Sequence, residues 1–259
     1  MDYKIVTKDN HRYVVIPELK NYGLNLCITT KDMDIGLKTN GDVDSINNNF
    51  NMIFDFMGVK PKERYSGYQV HGANIECITN LNQGSFYDTG KVFYDTDGLI
   101  TDIEGIALIS RFADCTPIIL FDPVKRVQAN IHSGWKGTLQ RIGAVGVDLM
   151  VDKYDSNPEA IIAILGPTIG KYDFEVESDV ADQFKEEFDF HKDIIRQKND
   201  NKFLIDLHTT NKRILLEKGI KEENLTIVDL STFAHENLLH SYRRDKADFG
   251  LMGAISILD

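Results

Sequence analysis

Cysteine is scarce in this sequence, and so are long apolar runs. The three cysteines, Cys27, Cys77 and Cys115, are too few for the disulfide framework of a small secreted domain. No apolar run approaches the roughly 18 residues that a membrane-spanning helix needs, and the first residues, Met-Asp-Tyr-Lys, lack the apolar core of a signal peptide. We therefore expect a cytoplasmic protein that does not bind a membrane.

Positive charge and histidine are also limited. The 29 lysines and arginines are outnumbered by 40 acidic residues, which gives a net charge of −11 and disfavours binding to nucleic acid or to anionic lipid. A local group of arginines can still bind a small anionic substrate. The seven histidines include no His-x-His pair, whereas multicopper oxidases need about ten histidine ligands and a cysteine. The composition therefore disfavours copper oxidation.

What the sequence contains is typical of a globular α+β protein. Its 259 residues, 42% of them hydrophobic, are enough for one large domain, and no linker or repeat divides residues 1–259. β-prone runs alternate irregularly with helical patterns, so we expect mixed and antiparallel sheets flanked by helices rather than a doubly wound parallel sheet. Apolar spacing predicts a helix from Ser45 to Gly58. Residues 80–95 are expected to form a loop and residues 235–239 a short helix.

The central feature of the sequence is a predicted hairpin. The apolar runs 118–121 and 127–131 are typical of buried strands, and Asp122-Pro123 between them is a turn signal. Cys115 precedes the first strand and His132 directly follows the second, so we expect the thiol and the imidazole near one edge of a sheet. Further along the chain, Thr138 is a predicted helix N-cap.

Two kinds of chemistry fit this edge. His71 follows another predicted strand, and His71, Cys115 and His132 together suit a zinc ion with a fourth position left for water or substrate. Alternatively, Cys115 is a nucleophile with His132 as its base, and no metal takes part. Taken singly, a buried cysteine is more often a small apolar residue than a reactive one. The separations of 44 and 17 residues along the chain do not decide between the two chemistries.

A series of short motifs carries a resemblance to a known family. In chain order they are Gln69-Val70-His71-Gly72, the segment 95–101, Ala113-Asp114-Cys115-Thr116-Pro117, the segment 132–138, Gly166-Pro167-Thr168-Ile169-Gly170, Phe174-Glu175-Val176 and Ser241-Tyr242-Arg243-Arg244-Asp245. Over roughly residues 20–258 the series resembles the YfiH-like family. Its members were formerly described as multicopper polyphenol oxidoreductases with a laccase domain, and they are now regarded as purine nucleoside phosphorylases that also deaminate adenosine.

The resemblance implies both a fold and a reaction. The fold would be an α+β arrangement of mixed sheets flanked by helices, likened to the catalytic domain of the cytotoxic necrotising factor. One zinc ion would be held by His71, Cys115 and His132, and Cys115 and His132 would also be catalytic. Inorganic phosphate would convert adenosine, inosine, guanosine or methylthioadenosine to the base and a ribose 1-phosphate, and adenosine would also be deaminated. A metal-free Cys–His hydrolase and a laccase-like polyphenol oxidase are the alternatives.

Further site residues are expected around the three ligands. Arg111 and Arg243 are candidates for phosphate binding because a guanidinium group can bind phosphate through two hydrogen bonds, although each also suits a surface salt bridge. Asp114 is the first candidate for the catalytic carboxylate that carries a proton in deamination, and its alternative role is to orient a ligand. Asp97 is the second candidate, in contact with the substrate, and its alternative role is that of a turn residue that bonds its own backbone.

Two departures from the family pattern affect these roles. The first predicted helix has Asn48-Asn49-Phe50 where an Asn-Arg pair is usual, which removes one arginine from the expected substrate site. Near the C-terminus, Ser231-Thr232-Phe233 replaces the usual Cys-Thr-Tyr. The three proposed metal ligands are unchanged. The sequence carries no indication of the oligomeric state.

Overall fold

The computed structural model describes residues 1–259, which form three β-sheets and seven α-helices. The strands, numbered β1 to β17 in chain order, are Lys4–Lys8, His11–Val15, Leu24–Thr29, Glu63–Gly67, Ile75–Ile78, Ser85–Tyr87, Gly90–Phe93, Gly98–Thr101, Ile106–Phe112, Thr116–Asp122, Val127–Ser133, Ile162–Leu165, Glu175–Glu177, Ile195–Asn199, Lys202–Ile205, Leu225–Ile227 and Met252–Leu258. The helices, numbered α1 to α7, are Val43–Met57, Trp135–Leu139, Ile142–Tyr154, Ser178–Glu187, His191–Ile194, Leu207–Glu217 and Tyr242–Asp245. None of these helices combines the length and the apolar composition that crossing a membrane requires.

The strands form two large sheets and a small one. The first sheet has the order β1-β2-β3-β17-β9-β4-β7-β6, the second has the order β16-β12-β10-β11-β8-β5, and the third is β13-β15-β14. Most neighbours are antiparallel, but β4 runs parallel to both β7 and β9, β5 runs parallel to β8, and β12 runs parallel to β16. The predicted α+β arrangement of mixed and antiparallel sheets is confirmed. The likeness to the cytotoxic necrotising factor stays a prediction.

The first and second sheets pack face to face across an apolar core. This core contains 18 buried residues, contributed among others by β3 and β17 on one side and by β10 and β12 on the other. Asn130 on β11 crosses the same gap, because its Nδ2 donates to the carbonyl oxygen of Leu108 at 3.0 Å and to that of Ala254 at 2.9 Å. Since alternate residues of a strand point to opposite faces, His132 lies on the same face of β11 as Asn130.

Helices cover the outer faces of both sheets. Ile46 and Phe50 of α1 pack against Ala107 and Ile109 of β9, on the outer face of the first sheet. Helices α3 and α6 cover the outer face of the second sheet. The α1 prediction is confirmed with small shifts at its ends: Asp42 caps the first turn through the backbone N–H groups of residues 44 and 45, and Gly58 ends the helix with φ of 72°.

The predicted hairpin is confirmed as β10 and β11. The two strands pair from Asp122 opposite Val127 at the turn to Thr116 opposite Ser133 at the open end. At the turn, the buried carboxylate of Asp122 accepts hydrogen bonds from the backbone N–H groups of residues 124 and 125 at 2.8 and 3.0 Å. This register brings Cys115 and residue 134 side by side at the open end of the hairpin.

Three local predictions are wrong. Residues 80–95 contain β6 and β7 rather than only loop, and β6 is an exposed three-residue edge strand without an apolar pattern. Residues 235–239 form turns instead of a helix, since Leu238 and Leu239 both donate to the carbonyl oxygen of His235. Thr138 lies inside α2, whose N-cap is Gly134, and its hydroxyl bonds that of Ser133 at 2.9 Å.

Candidate metal centre

The three predicted ligands converge although they are far apart along the chain. His71 lies in the turn after β4, Cys115 lies in the turn between β9 and β10, and His132 lies near the end of β11. One donor atom of each residue lies within 4.8 Å of the other two. The two imidazole rings meet edge to face, with centroids 5.0 Å apart. Among residues 1–259, this is the one group of three such side chains that could hold a metal ion.

Asp97 holds two of the ligands in place. Its side chain is buried, and it accepts hydrogen bonds from the backbone N–H groups of Val70, His71 and Gly72 at 3.1, 3.0 and 2.8 Å. It also accepts from Nδ1 of His132 at 2.9 Å. The turn that carries His71 has φ of +63° at that residue, an unfavourable conformation that the three bonds to Asp97 stabilise. These bonds position both the turn at His71 and the ring of His132.

The electrostatics of the three side chains favour a charged cysteine. Burial alone would raise the pKa of the Cys115 thiol, but the neighbouring rings of His132 and His71 lower this pKa to about 6. Burial alone would lower the pKa of His132, whereas Cys115 and Asp97 raise it to about 9. The pKa of Asp97 itself is lowered, because its bonds to His132 and to backbone N–H groups outweigh its burial. A thiolate is the form of cysteine that binds a metal or acts as a nucleophile.

The donor set and its spacing fit a zinc ion. Zinc binds thiolate sulfur at about 2.3 Å and imidazole nitrogen at about 2.0–2.1 Å in tetrahedral sites, which places ligand atoms about 3.3–3.6 Å apart. The observed limit of 4.8 Å needs only small side-chain movements to meet this. Residue 134 must be glycine, because a Cβ there would lie 2.7 Å from Cδ2 of His71 and 3.2 Å from Sγ of Cys115. His71 is exposed while His132 is buried, so the centre is open on one side.

Asp114, beside Cys115, joins the centre to the C-terminal segment. Its Oδ1 accepts from Oγ1 of Thr232 at 2.5 Å, and its Oδ2 accepts from the backbone N–H of Arg243 at 2.7 Å. Its carbonyl oxygen accepts from Oγ1 of Thr168 at 2.7 Å. The backbone of Asp114 has φ of +89°, and these bonds fix that conformation. The geometry therefore agrees with the alternative role of Asp114, which is to orient the residues around a ligand.

Arg243 lies beside this carboxylate and is exposed. Its Nη1 donates to the carbonyl oxygen of Glu175 at 2.7 Å, and its guanidinium group lies over the ring of Phe174 at 5.6 Å. It forms no salt bridge, so its charge is available to an anion. It also borders a cavity of about 430 Å³, whose lining consists of Tyr242, Arg243, Lys246, Ala247 and Phe249.

Arg244, the next residue, is structural. Its guanidinium group donates to the carbonyl oxygens of Thr232, Phe233 and Leu239 at 2.7–2.8 Å and pairs with the carboxylate of Asp245. Every one of its nitrogen atoms bonds the protein. Arg244 therefore fixes the segment that carries Thr232 towards Asp114, and it leaves no donor for a phosphate ion.

Arg111 is not brought to the three ligands. Ala107 and Ile109 face α1, so strand alternation places Arg111 on the same outer face of the first sheet, whereas Phe112 faces the core between the sheets. The Nε of Arg111 donates to the carbonyl oxygen of Ile35 at 2.9 Å. Burial, together with the positive charge of Arg64, lowers the pKa of Arg111 to about 10.

The roles of three residues in this region were not predicted from the sequence, where each stands only within a short motif. Thr168 and Thr232 bond Asp114 from two distant segments. The third residue is Gln69. The side-chain amide of Gln69 pairs with the backbone of Arg111, accepting from its N–H at 2.9 Å and donating to its carbonyl oxygen at 2.7 Å. A single threonine carries no periodic or spacing signal, so only its position inside a motif could have indicated these roles.

The chain is similar in sequence to several known proteins. A family model described as Multi-copper polyphenol oxidoreductase laccase matches residues 25–259. The chain is 31% identical over 186 residues to purine nucleoside phosphorylase YlmD of Bacillus subtilis, covering 71% of this chain and 66% of that protein. It is 33% identical over 171 residues to adenosine deaminase RL5 of an unknown prokaryotic organism, covering 65% of each. The chain thus spans about two thirds of the length of these relatives.

A solved structure extends the match to the whole chain. The crystal structure of the hypothetical protein YfiH of Bacillus licheniformis superposes with a TM-score of 0.90 at 26% identity, over 98% of this chain and 99% of that one. The family match, over residues 25–259, includes the positions of all three predicted ligands. The chain therefore belongs to the multi-copper polyphenol oxidoreductase laccase family.

Proposed function

We propose that this protein is a purine nucleoside phosphorylase that also deaminates adenosine, and that its metal is one zinc ion per chain. The observation that carries the proposal is the convergence of His71, Cys115 and His132 within 4.8 Å, open to solvent on the side of His71. Similar proteins are named purine nucleoside phosphorylase or adenosine deaminase. Three ligands leave a fourth position on a tetrahedral zinc for substrate.

The residues of the centre each have a defined task in this proposal. Asp97 accepts a hydrogen bond from Nδ1–H of His132, which leaves Nε2 as the nitrogen that faces Cys115 and the metal. Cys115 takes part as a thiolate, and Gly134 leaves room for the side chains of His71 and Cys115. Bound there, zinc would act as a Lewis acid towards an oxygen atom of the substrate or of phosphate.

Arg243 is the proposed phosphate-binding residue of the reaction. In phosphorolysis, the glycosidic C1′–N bond breaks, an oxygen atom of hydrogen phosphate bonds C1′, and the departing purine takes the proton that hydrogen phosphate loses. A cation beside the centre holds the phosphate dianion and stabilises the negative charge that passes from phosphate to the departing purine. Asp114 fixes the backbone of Arg243 at 2.7 Å, so we assign Asp114 to positioning. The adjacent cavity next to Tyr242 is the proposed place for the nucleoside.

Incubation of adenosine with and without inorganic phosphate tests this function. The proposal requires adenine and ribose 1-phosphate to form only when phosphate is present, while inosine forms in both cases. Inosine, guanosine and methylthioadenosine should also yield their bases. Cys115→Ala should abolish both activities, and Cys77→Ala, which changes a cysteine outside the centre, should keep them. If wild-type protein with bound zinc consumes no nucleoside, the proposal fails.

The second candidate is a metal-free Cys–His hydrolase. The observation that favours it is the approach of a donor nitrogen of His132 to within 4.8 Å of Sγ of Cys115, since a cysteine beside a histidine can be an activated nucleophile with its base. The lowered pKa of Cys115 agrees with this. Removal of metal with a chelator separates the two candidates. The phosphorylase should lose activity and regain it when zinc is restored, whereas a metal-free hydrolase should keep its activity in the chelator.

A further inference from the structure

Two arginines on the α1 face of the first sheet have no acidic partner. Arg111 donates from Nε to the carbonyl oxygen of Ile35 and from Nη2 to Oγ1 of Thr89, at 2.9 and 3.4 Å. Arg64 donates from Nη2 to Oδ1 of Asn47 at 3.0 Å and lies over the ring of Phe50 at 5.1 Å. All these partners are neutral. The arginines that form ion pairs are others, namely those at positions 12, 126, 141, 213 and 244.

A single turn connects the two guanidinium groups. Asn47, which accepts from Arg64, donates from its own Nδ2 to the carbonyl oxygen of Asp88 at 3.1 Å. The next residue, Thr89, is buried and accepts from Arg111. After it comes Gly90 with φ of +128°, where a Cβ would lie 2.6 Å from the carbonyl oxygen of Arg64. The turn is therefore packed directly against β4, and it is bonded to Arg111 through Thr89 and to Arg64 through Asn47.

The acidic residues nearby are engaged elsewhere. Oδ1 of Asp34 accepts from the N–H of Gly36, from Oγ1 of Thr39 and from the N–H of Leu251 at 2.8–3.0 Å. The carboxylate of Glu63 accepts from the backbone N–H of Arg64 and lies 3.6 Å from Nζ of Lys91. Asp88 is exposed and bonds neither guanidinium group. Burial lowers the pKa of each arginine, and it outweighs the charges of Asp34 and Glu63, which raise the pKa of Arg111 and of Arg64 respectively. Two like charges thus lie close together in a partly buried site and neither is bonded to a carboxylate, which is unfavourable.

The hydrogen-bond donors that have no acceptor in the protein indicate what kind of ligand would bind. The protein supplies no acceptor for Nη1 of Arg111, for Nε and Nη1 of Arg64, or for the hydroxyl hydrogen of Thr89. A tetrahedral oxyanion has enough acceptor oxygens for donors that approach from several directions, and arginine pairs bind phosphate strongly. We infer that Arg64, Arg111 and Thr89 form a binding site for a phosphate group, on the opposite face of the first sheet from His132. This site does not depend on the proposed reaction.

Phosphate titration of the full chain, followed by calorimetry and thermal unfolding at constant ionic strength, tests the inference. Inorganic phosphate should bind wild-type protein and raise its unfolding temperature. Arg64→Gln and Arg111→Gln should each weaken binding by at least about tenfold, the loss of one charge-assisted contact. Arg196→Gln, which removes an equal charge that lies over Tyr172 at the surface, should bind as wild type does. If Arg111→Gln does not fold, Arg64→Gln decides the matter alone.

Two further variants separate this site from the metal centre. Cys115→Ala and Arg243→Gln should keep phosphate binding at the α1 face, whatever they do to nucleoside turnover. A ribose phosphate ester tested beside the free ion identifies the source of the phosphate group, and binding of either one supports the inference. It is overturned if wild-type protein binds neither, if Arg64→Gln and Arg111→Gln bind as tightly as wild type, or if binding is lost only in the metal-centre variants.

Discussion

Replacement of Asp97 by asparagine tests the positioning of the metal ligands. Each carboxylate oxygen of Asp97 accepts two hydrogen bonds: Oδ1 from His71 and His132, and Oδ2 from Val70 and Gly72. In Asp97→Asn, either orientation of the amide turns an NH2 group towards two donors. Two of the four bonds are then lost, and the donors that made them face an NH2 group instead of an acceptor.

The expected cost is large. Hydrogen bonds to a charged group contribute about 1.5–3 kcal/mol each, and removal of one partner from a buried pair costs about 3–5 kcal/mol. We therefore expect the free energy of unfolding of Asp97→Asn to fall by about 3–5 kcal/mol, with a decrease in Tm of about 10 °C for a chain of this length. Zinc affinity should fall by about 10- to 100-fold, because His132 loses the acceptor that orients it.

Thermal unfolding by circular dichroism and competition for zinc with a chromophoric chelator measure the two effects. Asp95→Asn is the matched control, because Asp95 is a nearby exposed carboxylate whose φ of 50° asparagine tolerates. The reasoning is refuted if Asp97→Asn unfolds at the same temperature as Asp95→Asn and binds zinc as tightly as wild-type protein.

Three other substitutions test the stability of the surrounding fold. Arg244→Ala leaves three backbone carbonyl groups of the segment 232–239 without their donor, so unfolding should become easier by about 3 kcal/mol in urea titrations, and Arg244→Lys should not restore it. The hydrogen bond from Arg12 is the largest cause that lowers the pKa of Asp32 to about 2; the pair therefore stabilises the fold above about pH 4 and loses this effect as the pH falls towards about 2. Since both side chains are partly exposed, Asp32→Asn should lower the free energy of unfolding by only about 1 kcal/mol near neutral pH. As the pH falls towards about 2, the free energies of unfolding of the variant and of wild type should become equal. Asn130→Asp places a carboxylate against two carbonyl oxygens between the sheets. At a pH where this carboxylate is charged, the free energy of unfolding from the same urea titrations should fall by about 3 kcal/mol or more.

Elements with a buried apolar pattern could be predicted from the sequence, and exposed edge elements could not. Strands β10 and β11 are buried on both faces. β10 contains the continuous apolar run 118–121, and β11 has apolar residues at 127, 129 and 131, on either side of a turn signal. Strand β6 is exposed at all three positions, and β14 has only Ile195 half-buried. Such strands are held by backbone pairing to a neighbour, and side-chain composition carries little trace of that pairing.

The residues of the candidate site could be predicted from the sequence, but their arrangement in space could not. The motifs indicated His71, Cys115 and His132, but their convergence depends on the packing of two sheets, which chain spacing does not encode. Asp97 was expected either at the substrate or as a turn residue bonded to its own backbone; instead it bonds residues 70–72, about 25 positions away in sequence. The side of the sheet that Arg111 occupies follows from strand alternation, and the period of two along β9 could have shown it.

The central claim is that His71, Cys115 and His132 hold one zinc ion. Elemental analysis of protein purified without added metal or chelator tests it most directly, on wild type, Cys115→Ala and Cys77→Ala. We expect close to one zinc per chain in wild type and in Cys77→Ala, and almost none in Cys115→Ala. Equal zinc in Cys115→Ala and wild type, or a wild-type protein that binds no zinc when it is supplied, would contradict the claim.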